Sequence, residues 1–189
     1  GKIYGLLGKN GAGKTTTLVE CVKRILEFDN SKHIMLLAHN RSTRDTLLER
    51  IGKDNPNVRV YTLHGLSWRM FNEHFGFKPE INEDKYRNYI NKNINTITSE
   101  LYQNLSGPHK LTYKANLFEI INKARHNLKQ SEREIRRMAV NKYGMELVAD
   151  ECHVASNILK WGRENIEEVD YNDLLCFPYE FGYYTKRYL

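Results

Sequence analysis

Residues Gly8-Lys9-Asn10-Gly11-Ala12-Gly13-Lys14-Thr15 match the pattern Gly-x-x-x-x-Gly-Lys-Ser/Thr. A loop of this kind needs a strand before it and a helix after it, because its glycines must turn successive backbone N–H groups toward one point while a helix N-terminus faces the same point. The flanking sequence meets both demands. Ile3 to Leu7 is a short apolar run, and after the loop Leu18, Val22, Ile25 and Leu26 recur at helical spacing, which predicts a helix from Lys14 to about Phe28. The arrangement forms an anion nest at a positive helix end, and it implies a bound phosphate chain. Lys14 is expected to reach the β- and γ-phosphates of a nucleotide, the Thr15 hydroxyl to ligate Mg²⁺, and Gly8, Lys9, Asn10, Gly11, Ala12, Gly13 and Thr16 to complete the phosphate site.

The chain continues in the same alternation. A second apolar run, His33 to Ala38, is bounded by Asp29-Asn30-Ser31 before it and Asn40 after it. A polar helix is predicted from about Ser42 to Ile51, and Val58 to Thr62 reads as a third strand. Strand and helix in turn imply a parallel sheet with helices on its faces, an α/β fold.

From about Pro79 the character changes. Tyr86, Ile90, Ile94, Ile97, Leu101 and Leu105 fall on one helical face, and Leu111, Ala115, Phe118 and Ile121 on another, with Ser106-Gly107-Pro108 as a turn between them. Leu147, Cys152, Ala155 and Leu159 extend the helical pattern, and no strand is expected between about 79 and 165. The apolar density of Val169 to Tyr179 is expected to return the chain to the first domain. The predicted organisation is therefore 1–78 with 166–189 as the nucleotide-binding domain and 79–165 as an all-helical insertion.

Charge bears on the partner. The 189-residue chain has 29 basic and 23 acidic residues, a net charge of +6. Residues 1–77 carry 12 basic against 7 acidic and residues 78–165 carry 15 against 11, so the surplus lies in these two stretches. Such a balance suits a polyanion or, equally, an ordinary basic surface. No run approaches the roughly 20 apolar residues of a membrane helix. Cys21, Cys152 and Cys176 share no metal-ligand spacing and are expected as reduced, mostly buried thiols in an intracellular protein. Gly1 lies directly before a predicted buried strand, so the natural chain is expected to extend upstream.

The loop alone, "GLLGKNGAGKTTT", resembles that of ABC-type transport ATPases. That family also requires a Leu-Ser-Gly-Gly-Gln type signature closely followed by a strand ending in Asp-Glu. Leu105-Ser106-Gly107 is followed instead by Pro108-His109 and an amphipathic stretch from Leu111 to Leu128, so this resemblance stops at the loop.

Three further segments resemble superfamily 1 DNA helicases of the UvrD/Rep type. "YTLHGLSWRMF", from Tyr61 to Phe71, is similar to their Thr-Phe-His-Gly/Ser-Leu motif. "LAHNRSTRDTLLERI", from Leu37 to Ile51, is similar to the preceding Thr-Asn-Lys-Ala-Ala motif with its Glu-Arg-Ile. "VDYNDLL", from Val169 to Leu175, is similar to the Asp-Phe-Asp-Asp-Leu-Leu stretch upstream of their Asp-Glu magnesium motif. The resemblance implies a RecA-like P-loop NTPase fold carrying a helical subdomain, with ATP and Mg²⁺ as cofactors and single-stranded DNA as partner. It also implies that Asn40, Arg41, Thr62 and His64 face the DNA strand. Trp68 is read as a core residue rather than a base-stacking platform. Thr16 stands where many members carry an arginine, and Ala38 where the family often has an aromatic, so selectivity for adenine is implied by the family alone.

"VADECH", Val148 to His153, looks like the Asp-Glu-x-His box of superfamily 2 helicases. A strand is required before such a box, yet Glu146 interrupts the apolar run, and Val148, Glu151, Ala155 and Ile158 form a helical row. A solvated helix carrying Asp150 and Glu151 is expected instead. The Asp-Glu magnesium motif is then expected beyond Leu189, together with a second RecA-like domain and its arginines. A P-loop kinase or nucleotide-binding switch is the alternative reading; it would need a second-substrate pocket and a carboxylate that activates the acceptor.

Overall fold

A computed structural model describes residues 5, 9, 11–52 and 55–183. The first predicted strand, Ile3 to Leu7, lies outside the described residues except for Gly5, as do Gly8 and Asn10 of the loop. The chain forms two compact units, one ending at Met70 and the other running from Phe71 to Tyr183.

In the first unit, α1 (Lys14–Phe28) precedes β1 (Ile34–Ala38), α2 (Arg41–Ile51) and β2 (Val58–Thr62), and α3 (Leu63–Phe75) starts directly after β2. The two strands pair in parallel, with Ile34 opposite Val58 and Ala38 opposite Thr62. One face of this ladder is apolar: Leu36, Ala38, Val58 and Val60 are buried together with Val19 and Val22 of α1 and Leu47 of α2. Alternation along β1 turns Leu37 the other way, where it is exposed. The predicted α1, β1, α2 and β2 agree with these bounds to within a residue.

The second unit is built around α6 (Gly107–His126), a helix of 20 residues. Its inward row, Tyr113, Leu117, Ile120, Ile121 and Ala124, is buried and packs with Ile90 and Ile94 of α4 (Lys85–Ile97), Tyr102 of α5 (Glu100–Gln103), Ile135 of α7 (Glu132–Arg137) and Ala155 and Ile158 of α8 (Glu151–Glu164). Two short strands, β3 (Glu80–Ile81) and β4 (Glu168–Val169), pair in parallel on either side of this helical stretch. β3 corrects the expectation that 79–165 would hold no strand. It is two residues long, too short to leave a periodic signal.

The predicted faces need correction too. Leu101 is 60% exposed and Leu111 is 72% exposed. α4 ends at Ile97, where the Thr98 hydroxyl donates to the Ile94 carbonyl, and the chain restarts as α5 from Ser99. The break resets the helical phase, so Tyr102 rather than Leu101 points inward. In α6 the phase is set by Tyr113, a residue with an apolar ring whose hydroxyl finds a partner, donating to Asp150 at 2.8 Å. Of the cysteines, Cys152 and Cys176 are buried and Cys21 is exposed.

The stretch after residue 165 clusters with the helical unit, and the unit boundary falls inside α3 rather than at residues 78 and 79. The reason lies in α9 (Tyr171–Glu180), whose N-terminus brings carboxylates to two buried cations. Asp173 accepts from Lys85 Nζ at 3.0 Å, from the Tyr86 hydroxyl at 2.7 Å and from Arg125 at 3.1 Å, and Asp170 accepts from Arg125 at 2.6 Å. Lys85 also donates to the carbonyls of Gly162 and Asn165 at 2.9 and 3.0 Å. Asp170 and Asp173 cap each other's backbone in a capping box, so the same two carboxylates start the helix and hold the cations. Gly162 is required here, because a Cβ at that position would overlap the Tyr86 hydroxyl.

Candidate nucleotide site and strand-end surface

The described part of the glycine loop has the backbone that its sequence demands. Gly11 and Gly13 have φ of 84° and 76°, in the left-handed region that residues with a Cβ avoid, and α1 begins at the next residue, Lys14. A Cβ at either glycine would meet no atom within 4 Å, so conformation and not crowding selects glycine. The Ala12 amide closes the turn on the Lys9 carbonyl at 3.2 Å.

The N-terminus of α1 has no side-chain cap and no acidic residue in its first turn. α4 and α6 share this, whereas α2 is capped by Asn40, α7 by Ser131 and α9 by Asp170; what sets α1 apart is the glycine loop that leads into it. A helix start without a carboxylate leaves its amides and positive end to an anion. Lys14 Nζ donates to the Lys9 carbonyl at 2.7 Å, which folds the ammonium over the loop. Thr15 is half-buried and Thr16 exposed. These groups fit a nucleotide triphosphate, with Thr15 supplying one hydroxyl oxygen to Mg²⁺. Among the described residues no group of three His, Cys, Asp or Glu could hold a metal. One neighbour of the loop was not legible locally: Arg50, in the last turn of α2, donates to the Thr16 hydroxyl at 3.3 Å across 34 positions of sequence.

The second group of predicted residues lies at the carboxyl ends of β1 and β2. The register that sets Ala38 opposite Thr62 brings the segment after β1, with Asn40 and Arg41, beside Thr62 and the start of α3, with His64. Asn40, Arg41 and His64 are exposed, and Thr62 is half-buried. Two of the four also act structurally. Asn40 Oδ1 accepts from the Thr43 amide at 2.8 Å and caps α2, and Thr62 Oγ1 accepts from the Gly65 amide at 3.0 Å at the start of α3. Trp68 is half-buried. Arg69 donates to the Tyr61 hydroxyl at 2.5 Å.

Asp150 and Glu151 stand at the start of α8, as the helical reading of that segment requires, but the expected solvation is wrong for Glu151. It is fully buried, accepting from the Val148 and Ala149 amides at 2.8 Å and from Asn116 Nδ2 at 3.3 Å. Burial pushes the Asp150 carboxyl up, but hydrogen bonds from Ser99 and Tyr113 outweigh it and hold the group below the ordinary range. Both carboxylates are thus committed to holding the loop before α8. We expect Glu151→Gln to cost about 1–3 kcal/mol in urea unfolding, because an amide can no longer accept from both backbone N–H groups with both its heteroatoms. ATP hydrolysis by the full-length protein should stay unchanged. Loss of hydrolysis without loss of stability would give Glu151 the catalytic role that its burial denies.

A family model described as an AAA domain matches residues 1–162. The chain belongs to the AAA domain family. The match covers the glycine loop, the β1–β2 ladder and α4 to most of α8. Membership makes this AAA domain a P-loop nucleotide-binding domain of the ATPase class, in agreement with the loop geometry. No curated protein matches the chain. Among the described residues of the AAA domain, no helix is long and apolar enough to cross a membrane.

Proposed function

We propose that this AAA domain is the ATP-hydrolysing motor domain of a superfamily 1 DNA helicase, coupling hydrolysis to movement along single-stranded DNA. In this reading the unit that ends at Met70 belongs to a RecA-like domain, the helical unit from Phe71 to Tyr183 is its insertion, and a second RecA-like domain completes the motor. The glycine loop binds the phosphates of ATP through backbone amides, Lys14 carries charge to the β- and γ-phosphates, and Thr15 ligates Mg²⁺. When bound, Mg²⁺ neutralises charge that develops on the phosphoryl oxygens.

The observation that carries the DNA half of the reading is the β1–β2 register. It gathers Asn40, Arg41, Thr62 and His64 at one end of a parallel ladder, and carboxyl ends of strands are where open α/β sheets hold ligands. Contacts there should go to phosphates and sugars, since a motor must step over any sequence.

Arg41→Ala tests this. Arg41 is exposed at the first position of α2, so its loss opens no cavity and leaves the Asn40 cap in place. The variant should weaken single-stranded DNA binding by the full-length protein about equally for oligonucleotides of different sequence. It should also lower the salt slope by roughly 0.7, the value of one phosphate contact. An unchanged affinity and slope would mean that the strand runs elsewhere.

A further inference from the structure

We infer that the helical unit carries a second phosphodiester-binding site, a basic cleft formed by the end of α6, α7 and the π-helical turn after it. The inference goes beyond the strand-end surface but takes its partner, nucleic acid, from the reading given above. The cleft is open, with a volume of about 590 Å³, and Lys129, Arg137, Lys142 and Glu134 supply its charges beside the amides of Asn127 and Asn141.

The one acidic group is already engaged. Glu134 accepts from the Ser131 amide at 3.5 Å in the capping box of α7 and from the Ser131 hydroxyl at 2.8 Å, and Lys129 lies 3.7 Å from its other oxygen. Arg137 is exposed at the end of α7. Lys142 Nζ donates to Asn127 Oδ1 at 2.5 Å, and the Asn127 amide donates to the Tyr143 hydroxyl at 2.9 Å. Lys123 adds a further cation beside the cleft, its ammonium 3.8 Å from the centre of the Tyr143 ring. The Tyr143 hydroxyl is held below its ordinary range, first by the Asn127 hydrogen bond and then, against a small effect of burial, by the charges of Lys142 and Lys123. Lys123 is also paired with Glu119 at 3.2 Å, and with both carboxylates counted the cations still outnumber them.

Two backbone features converge on the same cleft. Residues Met138–Lys142 form the one π-helical turn among the described residues. A π turn widens the helix by one residue and moves the following side chains out of α-helical register, and such turns concentrate at functional sites. Leu128, between Asn127 and Lys129, is the one non-glycine residue with positive φ, 52°, among the described residues. It is the left-handed residue that ends α6: the Lys129 amide bonds the Ala124 carbonyl at 2.9 Å and the Leu128 amide the Arg125 carbonyl at 3.0 Å, and this turn sets Asn127 and Lys129 on either side of it. The π turn carries Met138, Asn141 and Lys142 of the cleft wall. A site for a run of phosphates explains why the π turn, the cations and the amides occur together, and the excess of basic residues over 78–165 (15 against 11) suits the same partner.

The test is binding of the full-length protein to a single-stranded oligonucleotide and to a blunt duplex over a salt series, comparing Arg137→Ala, Arg137→Ala/Lys142→Ala and the control Lys92→Ala/Lys160→Ala. The control removes the same charge from exposed positions on α4 and α8. The double cleft variant should lower the salt slope by roughly 1.4 on single strands, or roughly 1.8 on duplex, and weaken binding roughly 25-fold or more near 0.1 M salt. Arg137→Ala alone should give about half of the slope change, which keeps the test valid should the double variant fold poorly. Loss on single strands assigns the cleft to the strand that is translocated, and loss on duplex alone assigns it to duplex phosphates. Unchanged slopes in the cleft variants, with Arg41→Ala still weakening binding, would overturn the cleft and leave the motor reading intact. Equal losses in the control would also overturn it, as net charge would then be the cause. If the unmodified protein binds neither form, the motor reading falls and the cleft with it.

Discussion

Lys14→Ala should weaken triphosphate binding roughly 10- to 150-fold, the equivalent of one charge-assisted hydrogen bond of about 1.5–3 kcal/mol. In the structure the ammonium is folded over the loop, donating to the Lys9 carbonyl at 2.7 Å, and it exchanges that neutral acceptor for phosphate oxygens when a nucleotide binds. The gain on binding is therefore the difference between the two partners, and alanine forfeits it. Lys14 is half-buried and stands outside the apolar cluster of its unit, so thermal stability without nucleotide should change little. Titration calorimetry with a non-hydrolysed triphosphate measures the effect. Equal affinity in the variant and the unmodified protein would exclude the loop as the binding site.

The largest effect on stability should come from Asp173→Ala. The side chains of Lys85 and Asp173 are 0% exposed and that of Arg125 is 3% exposed. Burial pushes the Asp173 carboxyl above its ordinary range, while Lys85 and Arg125 pull it back toward the charged form. Removing the carboxylate leaves Lys85 with two carbonyls and three aromatic rings, the nearest centroid at 5.3 Å, and takes away the acceptor of the Tyr86 hydroxyl. Breaking a buried pair from one side costs about 3–5 kcal/mol, a large share of the roughly 5–15 kcal/mol that holds a domain together. At about 2–4 °C per kcal/mol for a chain of this size, the midpoint should fall by roughly 6–20 °C. Replacing both members, as Lys85→Met/Asp173→Leu, should cost less than Asp173→Ala alone, because no unpaired charge remains at Lys85. Circular dichroism of both variants on heating decides between a buried pair and a surface ornament.

What could be read from the sequence was local. The bounds of α1, β1, α2 and β2 follow from apolar spacing between polar turns, and the glycine loop announces its positive φ angles through Gly11 and Gly13. Reading failed where a short break reset the phase, as at Thr98-Ser99 before α5. It failed again where pairing is remote. Lys85 with Asp173 and Arg125 with Asp170 are separated by 88 and 45 positions, and no window of sequence shows that they meet. The segment "VDYNDLL" was legible as a motif, but the placing of its two aspartates on buried cations of the helical unit was not. Glu151 shows the same limit: its helix was legible, and the two backbone amides that draw its carboxylate inside were not.

The central claim is that nucleotide turnover at this P-loop is coupled to a DNA strand. Its most direct measure is the steady-state rate of ATP hydrolysis by the full-length protein with and without single-stranded DNA, in a low and a high salt buffer. The account predicts a rate that rises on adding the strand, independently of its sequence, that loses this stimulation at high salt, and that vanishes in Lys14→Ala. A rate indifferent to DNA, with the phosphoryl group passed instead to a small acceptor, would contradict it.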